Sequence, residues 1–365
     1  MTQEKILEAL SNVQEPDLGK DLVTLNMVKD IEINENEVSF TVVLTTPACP
    51  MKEMIGNACV NAVKLLVNKE ANVKVNFTSN TTSKRDDPKT ILPKVRNIIA
   101  VVSGKGGVGK STVAANLALA LSQSGAKVGL MDADIYGPSV PIMFGVRGER
   151  PMMMDVGGEK GMIVPLEKFG IKLMSIGLLV DEKSAVVWRG PMVSSAIRQF
   201  VTDVYWDELD YLVVDMPPGT GDIHLTLVQT VPVTGVVIVT TPQDVALADA
   251  KKGIAMFGQS QVNVPIIGLV ENMSYFTPAE LPDNKYYIFG KEGGKRLAEE
   301  YDIPFLGQIP LVQGIREGGD QGVPVMMSDD IVSRKAFEEF AAFAVRSIAM
   351  RNANMSAEKV TEVVS

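Results

Sequence analysis

Apolar and polar positions along the chain follow two different patterns, separated by a polar break at residues 79–94. Before the break, apolar residues recur at helical spacing in two segments and alternate with polar residues in three others. The elements predicted there are helices over 6–13 and 51–68 and strands over 22–33, 37–45 and 73–77, with a turn at 34–36. This mixture predicts a small α+β domain over residues 1–78.

After the break, continuous apolar runs alternate with segments of helical spacing. The break itself, 79–94, is charged and contains Pro88 and Pro93, which favours a linker. The runs predicted as strands are 97–102, 127–131, 211–214, 235–240, 265–270 and 305–309. Continuous apolar strands separated by helices are typical of a mostly parallel sheet covered on both faces. We predict an α/β domain over residues 95–350, with a last helix over 333–350 and a polar tail over 351–365.

Composition and charge exclude several classes of protein. A single core usually stops growing at about 250–300 residues, so 365 residues favour two domains. The net charge of −9 and the lack of a Lys/Arg run disfavour nucleic-acid binding. No apolar stretch approaches a membrane span, and the charged amino-terminal segment lacks a signal core. Two cysteines are too few for a disulfide framework. We expect a cytoplasmic protein that binds neither nucleic acid nor membranes.

One segment carries a clear phosphate-binding pattern, GKGGVGKST, between a predicted strand and a predicted helix. Its glycines let consecutive backbone N–H groups surround phosphate oxygens, Lys110 supplies a positive charge, and the Ser111 hydroxyl is a ligand for Mg²⁺. We expect the whole segment to bind a nucleoside triphosphate: Gly104, Lys105, Gly106, Gly107, Val108, Gly109, Lys110, Ser111 and Thr112. The loop also has a second lysine near its start, Lys105, which ordinary phosphate-binding loops lack.

Acidic residues follow two of the predicted strands. Asp132 and Asp134 come directly after the second strand, so they fall at the carboxyl edge of the sheet near the phosphates. Asp134 is the candidate for orienting the attacking water. Asp215 ends YLVVD and opens MPPGTGD, where a carboxylate can join Ser111 in holding Mg²⁺ and the glycine-rich segment can move with the γ-phosphate. The only histidine, His224, has no ligand-spaced partners, and we expect it to be structural.

These motifs resemble those of known ATPases. GKGGVGKST, DADIYGPS and DMPPGTGD are similar to the deviant-Walker P-loop ATPases that include MinD and the nitrogenase iron protein. Within that class, WRGPMV at 188–193, VTTPQDVALADAKKGIAMF at 239–257 and ENMSYF at 271–276 resemble the Mrp/ApbC iron–sulfur cluster carriers. TTPACP at 45–50 is similar to the small MIP18-like assembly domain of SufT and PaaD type. The resemblance covers the whole chain.

The resemblance implies a slow, switch-like ATPase that uses ATP and Mg²⁺ to load iron–sulfur clusters and transfer them to apoproteins. Catalytic roles then fall to Lys105, Lys110 and Asp134, with Lys105 reaching across a homodimer to the partner's nucleotide. Asn272 in ENMSYF matches the asparagine that hydrogen-bonds adenine.

The chain departs from the family pattern just after ENMSYF. Most of these carriers have a CxxC pair there, whereas this chain has TPAELPDNKYYIFG at 277–290. Clusters are held by thiolates, and Glu280 and Asp283 are hard oxygen ligands that suit Mg²⁺ or Ca²⁺. Cys49 in TTPACP is the remaining candidate ligand, while Cys59, inside a predicted helix, is expected in the core. Two alternatives stay open: an ATP-dependent scaffold that holds no cluster, and a positioning switch of the MinD type.

Overall fold

The computed structural model describes residues 1–81, 83, 91–155, 161–180, 190–260, 262–278, 280–281 and 283–354. The chain divides into two compact units: one comprises residues 1–84 and the end of the last helix from Ile348, the other residues 85–347. Half of the predicted linker, most of the predicted polar tail, and Trp188 and Arg189 of the WRGPMV motif fall outside the described residues. The domain boundaries stay a prediction.

The small unit packs two helices on a three-stranded sheet. Its elements are α1 (Gln3–Leu10), β1 (Gln14–Glu15), β2 (Lys20–Asp21), β3 (Val28–Asn34), β4 (Glu37–Leu44), α2 (Lys52–Leu66) and β5 (Asn72–Ser79). Strand β4 lies in the centre, antiparallel to β3 and parallel to β5. Every second residue of β4 is buried, so one face of the sheet carries the core, to which Ile6, Leu10, Phe40 and Ile55 contribute.

The predicted strand over 22–33 is wrong in its first half. Residues 22–26 form turns, and the strand starts at Val28. The cause is local, because the Asp21 carboxylate accepts hydrogen bonds from the backbone N–H groups of Val23 (3.0 Å) and Thr24 (2.7 Å). Such an aspartate turn competes with extended backbone, and Asn26 continues it in the left-handed region at φ 56°.

The large unit alternates strands and helices. In chain order it contains β6 (Val95–Val102), α3 (Lys110–Gln123), β7 (Val128–Asp132), α4 (Val140–Met143), β8 (Met152–Met154), β9 (Met162–Val164), β10 (Leu166–Lys168), β11 (Ile171–Ser175), α5 (Gly190–Thr202), β12 (Leu209–Asp215), α6 (Asp222–Thr230), β13 (Gly235–Thr240), α7 (Asp244–Phe257), β14 (Ile266–Glu271), α8 (Gly293–Glu300), β15 (Phe305–Gln308), α9 (Gln313–Gln321) and α10 (Ile331–Asn354). Two single 3₁₀ turns lie at Ile176–Leu178 and Val325–Met327.

Eight of these strands form one sheet in the order β10-β11-β7-β12-β6-β13-β14-β15. All neighbours are parallel except β10, which runs antiparallel to β11 at the edge. The predicted mostly parallel sheet is confirmed. Since parallel strands end at the same edge, the segments after β6, β7, β12 and β14 all begin there.

Packing in the large unit explains the continuous apolar runs. Strands β7 and β13 are buried at every residue, as expected for a sheet covered on both faces. Within this unit the last helix buries one side, formed by Phe337, Phe340, Ala341 and Ala344. Among the residues that the structure describes, no helix combines the length and apolar character needed to cross a membrane.

Candidate nucleotide site

The phosphate-binding loop joins the end of β6 to the start of α3, so that the first N–H groups of α3 point toward it. Gly107 (φ 84°) and Gly109 (φ 80°) adopt left-handed backbone that favours glycine. Two close approaches add a steric requirement. A Cβ on Gly104 would overlap the backbone of Asp249 in α7, and one on Gly109 would overlap the side-chain amide of Asn272. The shape of the loop therefore requires glycine at positions 104, 107 and 109.

Lys110 stands at the centre of a buried group of polar side chains. Its Nζ lies 2.5 Å from Oδ1 of Asp215, 3.7 Å from Oδ2 of Asp134 and 3.3 Å from Oγ of Ser111. Lys110 is 6% exposed and Asp215 is fully buried. The structure thus brings together four residues that the sequence analysis selected from three separate motifs. Their roles in catalysis and metal binding stay predictions.

Asp132 organises the segment after β7, here called the first switch (residues 132–139). Its Oδ1 accepts a hydrogen bond from the backbone N–H of Asp134 (3.1 Å). Its Oδ2 accepts hydrogen bonds from Oγ of Ser175 (2.9 Å) and from the N–H of Val140 (3.3 Å). Burial, and then the charge of Asp215, raise the pKa of Asp132 to about 8. Sequence reasoning missed this positioning role because Ser175 belongs to β11, which it did not predict.

The charges in the site favour a divalent cation. The carboxylates of Asp134 and Asp215 share the ammonium of Lys110, and Asp132, whose pKa is raised, interacts with both Asp215 and Lys110. Burial raises the pKa of Asp134, and the positive charge of Lys110 opposes that rise. Oδ2 of Asp215 is buried and has no hydrogen-bond partner among the described residues. An unpaired carboxylate oxygen close to a serine hydroxyl fits the oxygen coordination that Mg²⁺ requires.

Asn272 lies at the carboxyl end of β14, directly against the phosphate-binding loop. Its Nδ2 donates a hydrogen bond to the carbonyl oxygen of Val108 (2.8 Å), and its backbone N–H donates to Thr240 (2.8 Å). The preceding residue, Glu271, is buried and accepts hydrogen bonds from the N–H of Gly294 and from Nε2 of Gln308. Asn272 therefore supports the shape of the loop. Its predicted contact with adenine stays a prediction.

Lys105 lies in the same loop but has different surroundings from Lys110. It is half-buried, and its backbone carbonyl accepts a hydrogen bond from Oγ of Ser103 (2.9 Å). Within the described ranges its Nζ makes no ion pair and no hydrogen bond. The ammonium of Lys105 therefore does not pair with Asp134 or Asp215, the carboxylates that contact Lys110.

The two cysteines lie in the small unit and differ in accessibility. Cys59 is fully buried in the core, and desolvation raises the pKa of its thiol to about 12. This confirms the interpretation of Cys59 as a core residue. Cys49 is half-buried in the segment between β4 and α2. In the part of the chain that the structure describes, no three His, Cys, Asp or Glu side chains are arranged to hold a metal.

Comparison with protein families identifies both parts of the chain. Residues 94–345 match the NUBPL iron-transfer P-loop NTPase model, and residues 3–77 match that of the iron–sulfur cluster assembly protein domain. The first match alone covers more than half of the chain. The chain belongs to the NUBPL iron-transfer P-loop NTPase family. The family resemblance drawn from the motifs is confirmed.

Individual relatives extend this match over almost the full length. The iron–sulfur cluster carrier protein of Synechocystis sp. is 49% identical over 352 residues, which cover 96% of this chain and 99% of the relative. A chloroplastic Fe–S cluster assembly factor of Arabidopsis thaliana is 43% identical over 95% of this chain and 64% of its own length. Among solved structures, the nucleotide-binding protein of Archaeoglobus fulgidus in complex with ADP has a TM-score of 0.56 and 39% identity. That match covers 65% of this chain and 91% of that protein.

Proposed function

We propose that this protein is an ATP-hydrolysing carrier that loads iron–sulfur clusters and passes them to apoproteins. The observation that carries the proposal is the buried group formed by Lys110, Ser111, Asp134 and Asp215, in a chain whose two parts both match iron–sulfur assembly families. A relative named as an iron–sulfur cluster carrier aligns over 96% of the chain. Slow, switch-like hydrolysis and transfer to client apoproteins are parts of this proposal.

Each residue of the site receives a role from its position. The loop N–H groups and Lys110 would bind the β- and γ-phosphates of ATP, and Asp134 would orient the attacking water. Ser111 and Asp215 would hold Mg²⁺, which supplies neutralising charge to the phosphate oxygens. The ammonium of Lys110 now contacts Oγ of Ser111 and Oδ1 of Asp215. Phosphate binding would draw it toward the nucleotide and release the serine oxygen, which would join the unpaired Oδ2 of Asp215 in holding the metal.

The ammonium of Lys105 makes no ion pair among the described residues, which supports a role in contacting the nucleotide of the partner subunit in a homodimer. Lys105→Ala is expected to bind ATP nearly as well as the unmodified protein, because Lys110 stays in place. The same variant is expected to lose ATP-dependent dimerisation and hydrolysis, since the partner's phosphates lose a stabilising charge. Sedimentation with and without ATP measures the loss of ATP-dependent dimerisation. Normal ATP-dependent dimerisation of the variant would show that Lys105 does not act across the interface.

Cluster cargo is proposed to rest on Cys49. The fragment from Pro93 onward contains no cysteine, and thiolates are the ordinary ligands of iron–sulfur clusters. Cys59 is buried in the core and its raised thiol pKa disfavours the thiolate. Cys49 is half-exposed, and a homodimer would supply two copies.

Anaerobic reconstitution with iron and sulfide tests this assignment. The full chain is expected to retain iron and sulfide after desalting, Cys49→Ser is expected to lose both, and Cys59→Ala serves as the matched control. Alanine suits the control because it leaves no hydroxyl unpaired in the core. Iron content and visible absorbance report the result. Retention by Cys49→Ser, or by the isolated fragment from Pro93 onward, would move the cluster site elsewhere.

A second candidate function is an ATP-dependent scaffold that carries no cluster. It is favoured by one observation, the absence of cysteine from segment 277–290. Failure of the full chain to retain iron, together with normal ATP hydrolysis, would support it. The MinD-type positioning switch is disfavoured, because the apolar side of α10 that a membrane-seeking helix would expose is buried.

A further inference from the structure

His224 occupies a position that its sequence context does not explain. It lies in the first turns of α6 and is 2% exposed. Its Nε2 is 2.9 Å from the carbonyl oxygen of Pro217, and its backbone N–H donates to the carbonyl of Gly221 (3.0 Å). Its Nδ1 is buried and has no hydrogen-bond partner among the residues described.

The contact with Pro217 fixes the tautomer of the ring. A carbonyl oxygen only accepts hydrogen bonds, so Nε2 must carry the proton. Burial lowers the pKa of His224, although the hydrogen bond to Pro217 opposes this shift. The ring is therefore neutral, with a proton on Nε2 and a lone pair on Nδ1.

The hydrogen bond joins the first part of the segment after β12, here called the second switch (residues 215–222), to the helix that follows it. Asp215 opens this segment, and Pro217 follows two residues later. Backbone contacts hold the segment to the centre of the sheet: Met216 donates to Val101 (3.1 Å) and Gly219 donates to Ser103 (2.9 Å). The side chain of His224 provides a third contact, which ties the second switch to its own helix, α6.

The hydrogen bond to Pro217 is what a histidine supplies here and an apolar side chain of similar size could not. It comes together with a buried Nδ1 that has no partner among the described residues, which costs free energy. In the glycine-rich part of the second switch, Gly219 lies at φ 100°, a conformation that favours glycine, and an added Cβ there would meet nothing within 4 Å. The contact of His224 is made at Pro217, two residues from Asp215, and so acts on the part of the loop nearest that carboxylate.

We propose that His224 is a positioning residue for ATP hydrolysis, which holds the Pro217 carbonyl so that the second switch keeps Asp215 aligned with Lys110. This inference rests on the proposed ATPase activity. It names a residue that acts through the backbone of the second switch and touches neither nucleotide nor water.

Two nearly matched substitutions test the role. In His224→Gln the side-chain amide nitrogen reaches the position of Nε2 and can still donate to Pro217, while in His224→Asn it reaches only the position of Nδ1. His224→Asn is expected to lower kcat for ATP by about ten- to a hundredfold, as misplacement of a catalytic group does. KM should change by less than about threefold, because the phosphate loop is intact.

His224→Gln should recover most of the kcat. Unmodified kcat in His224→Asn, or an equal loss in both variants, would overturn the inference.

Amide hydrogen exchange over residues 216–224, measured on the same full-length chains without nucleotide, gives a second readout. Exchange should be faster in His224→Asn than in His224→Gln and the unmodified protein. Equal exchange in all three proteins would refute the role of His224, whether or not the unmodified protein hydrolyses ATP. Absence of ATP hydrolysis by the unmodified protein would contradict only the proposed function. Circular dichroism verifies folding, and His224→Leu replaces the asparagine variant if that variant is unfolded.

Discussion

Lys110→Ala is expected to abolish tight binding of ATP. Lys110 is the cation inside the loop, buried at 6% exposure with its Nζ 2.5 Å from Asp215. Without it, the carboxylates of Asp134 and Asp215 would face the incoming phosphates with no compensating charge from this position. The ammonium of Lys110 and the phosphates would form a buried charge pair across the binding interface, and truncating one partner of such a pair costs on the order of 2–5 kcal/mol, so the affinity should fall by about a hundredfold or more.

Equilibrium binding of a labelled ATP analogue measures this loss, and Lys105→Ala is the matched control. Both substitutions remove an ammonium from the same loop, but only Lys110 contacts the aspartates within the described residues. Because the substitution also leaves Oδ1 of Asp215 without this partner, thermal unfolding of the variant must be measured alongside. A folded Lys110→Ala protein that binds the analogue as tightly as the unmodified chain would contradict the assigned phosphate site.

Much of the large unit could be predicted from the sequence because its strands are buried on both faces. Such strands appear as continuous apolar runs, and β6, β12 and β13 lie where those runs predicted them. Strands β8, β9 and β10 are three residues long, too short for alternation to be recognised. The strand over 22–33 was partly wrong because the Asp21 side chain forms a turn that no periodicity reveals.

Some residues of the site could be predicted from local sequence patterns, whereas the contacts between them depend on tertiary packing. The loop and the aspartates after β7 and β12 could be placed from sequence, since a parallel sheet brings strand ends to one edge. The contact of Asn272 with Val108, and that of Ser175 with Asp132, join strands far apart in the chain. No local spacing predicts such contacts. His224 is a single residue that follows a glycine-rich loop, and its hydrogen bond to Pro217 could be recognised only from the structure.

Asp134→Asn is expected to bind Mg-ATP but to hydrolyse it about 10²- to 10⁴-fold more slowly, the usual contribution of a general base or positioning group. Asp134 is 9% exposed, and its Oδ2 lies 3.7 Å from Lys110. Its backbone N–H donates to Asp132 and its carbonyl accepts from Gly137. The substitution keeps these backbone contacts and the size of the side chain, and removes the negative charge. Single-turnover hydrolysis separates this loss from any change in binding.

The pH dependence of hydrolysis gives the same assignment an independent test. Burial raises the pKa of Asp134 above its ordinary value, although Lys110 opposes the rise. The ionised form is the one proposed to orient water, so kcat should fall as pH is lowered through this raised pKa, at a higher pH than an exposed aspartate would give. Asp134→Asn should lack that acid limb, whereas Asp320→Asn, the same change on the exposed surface of α9, should retain it together with unmodified turnover. Unmodified turnover in Asp134→Asn would require a different residue to orient the water.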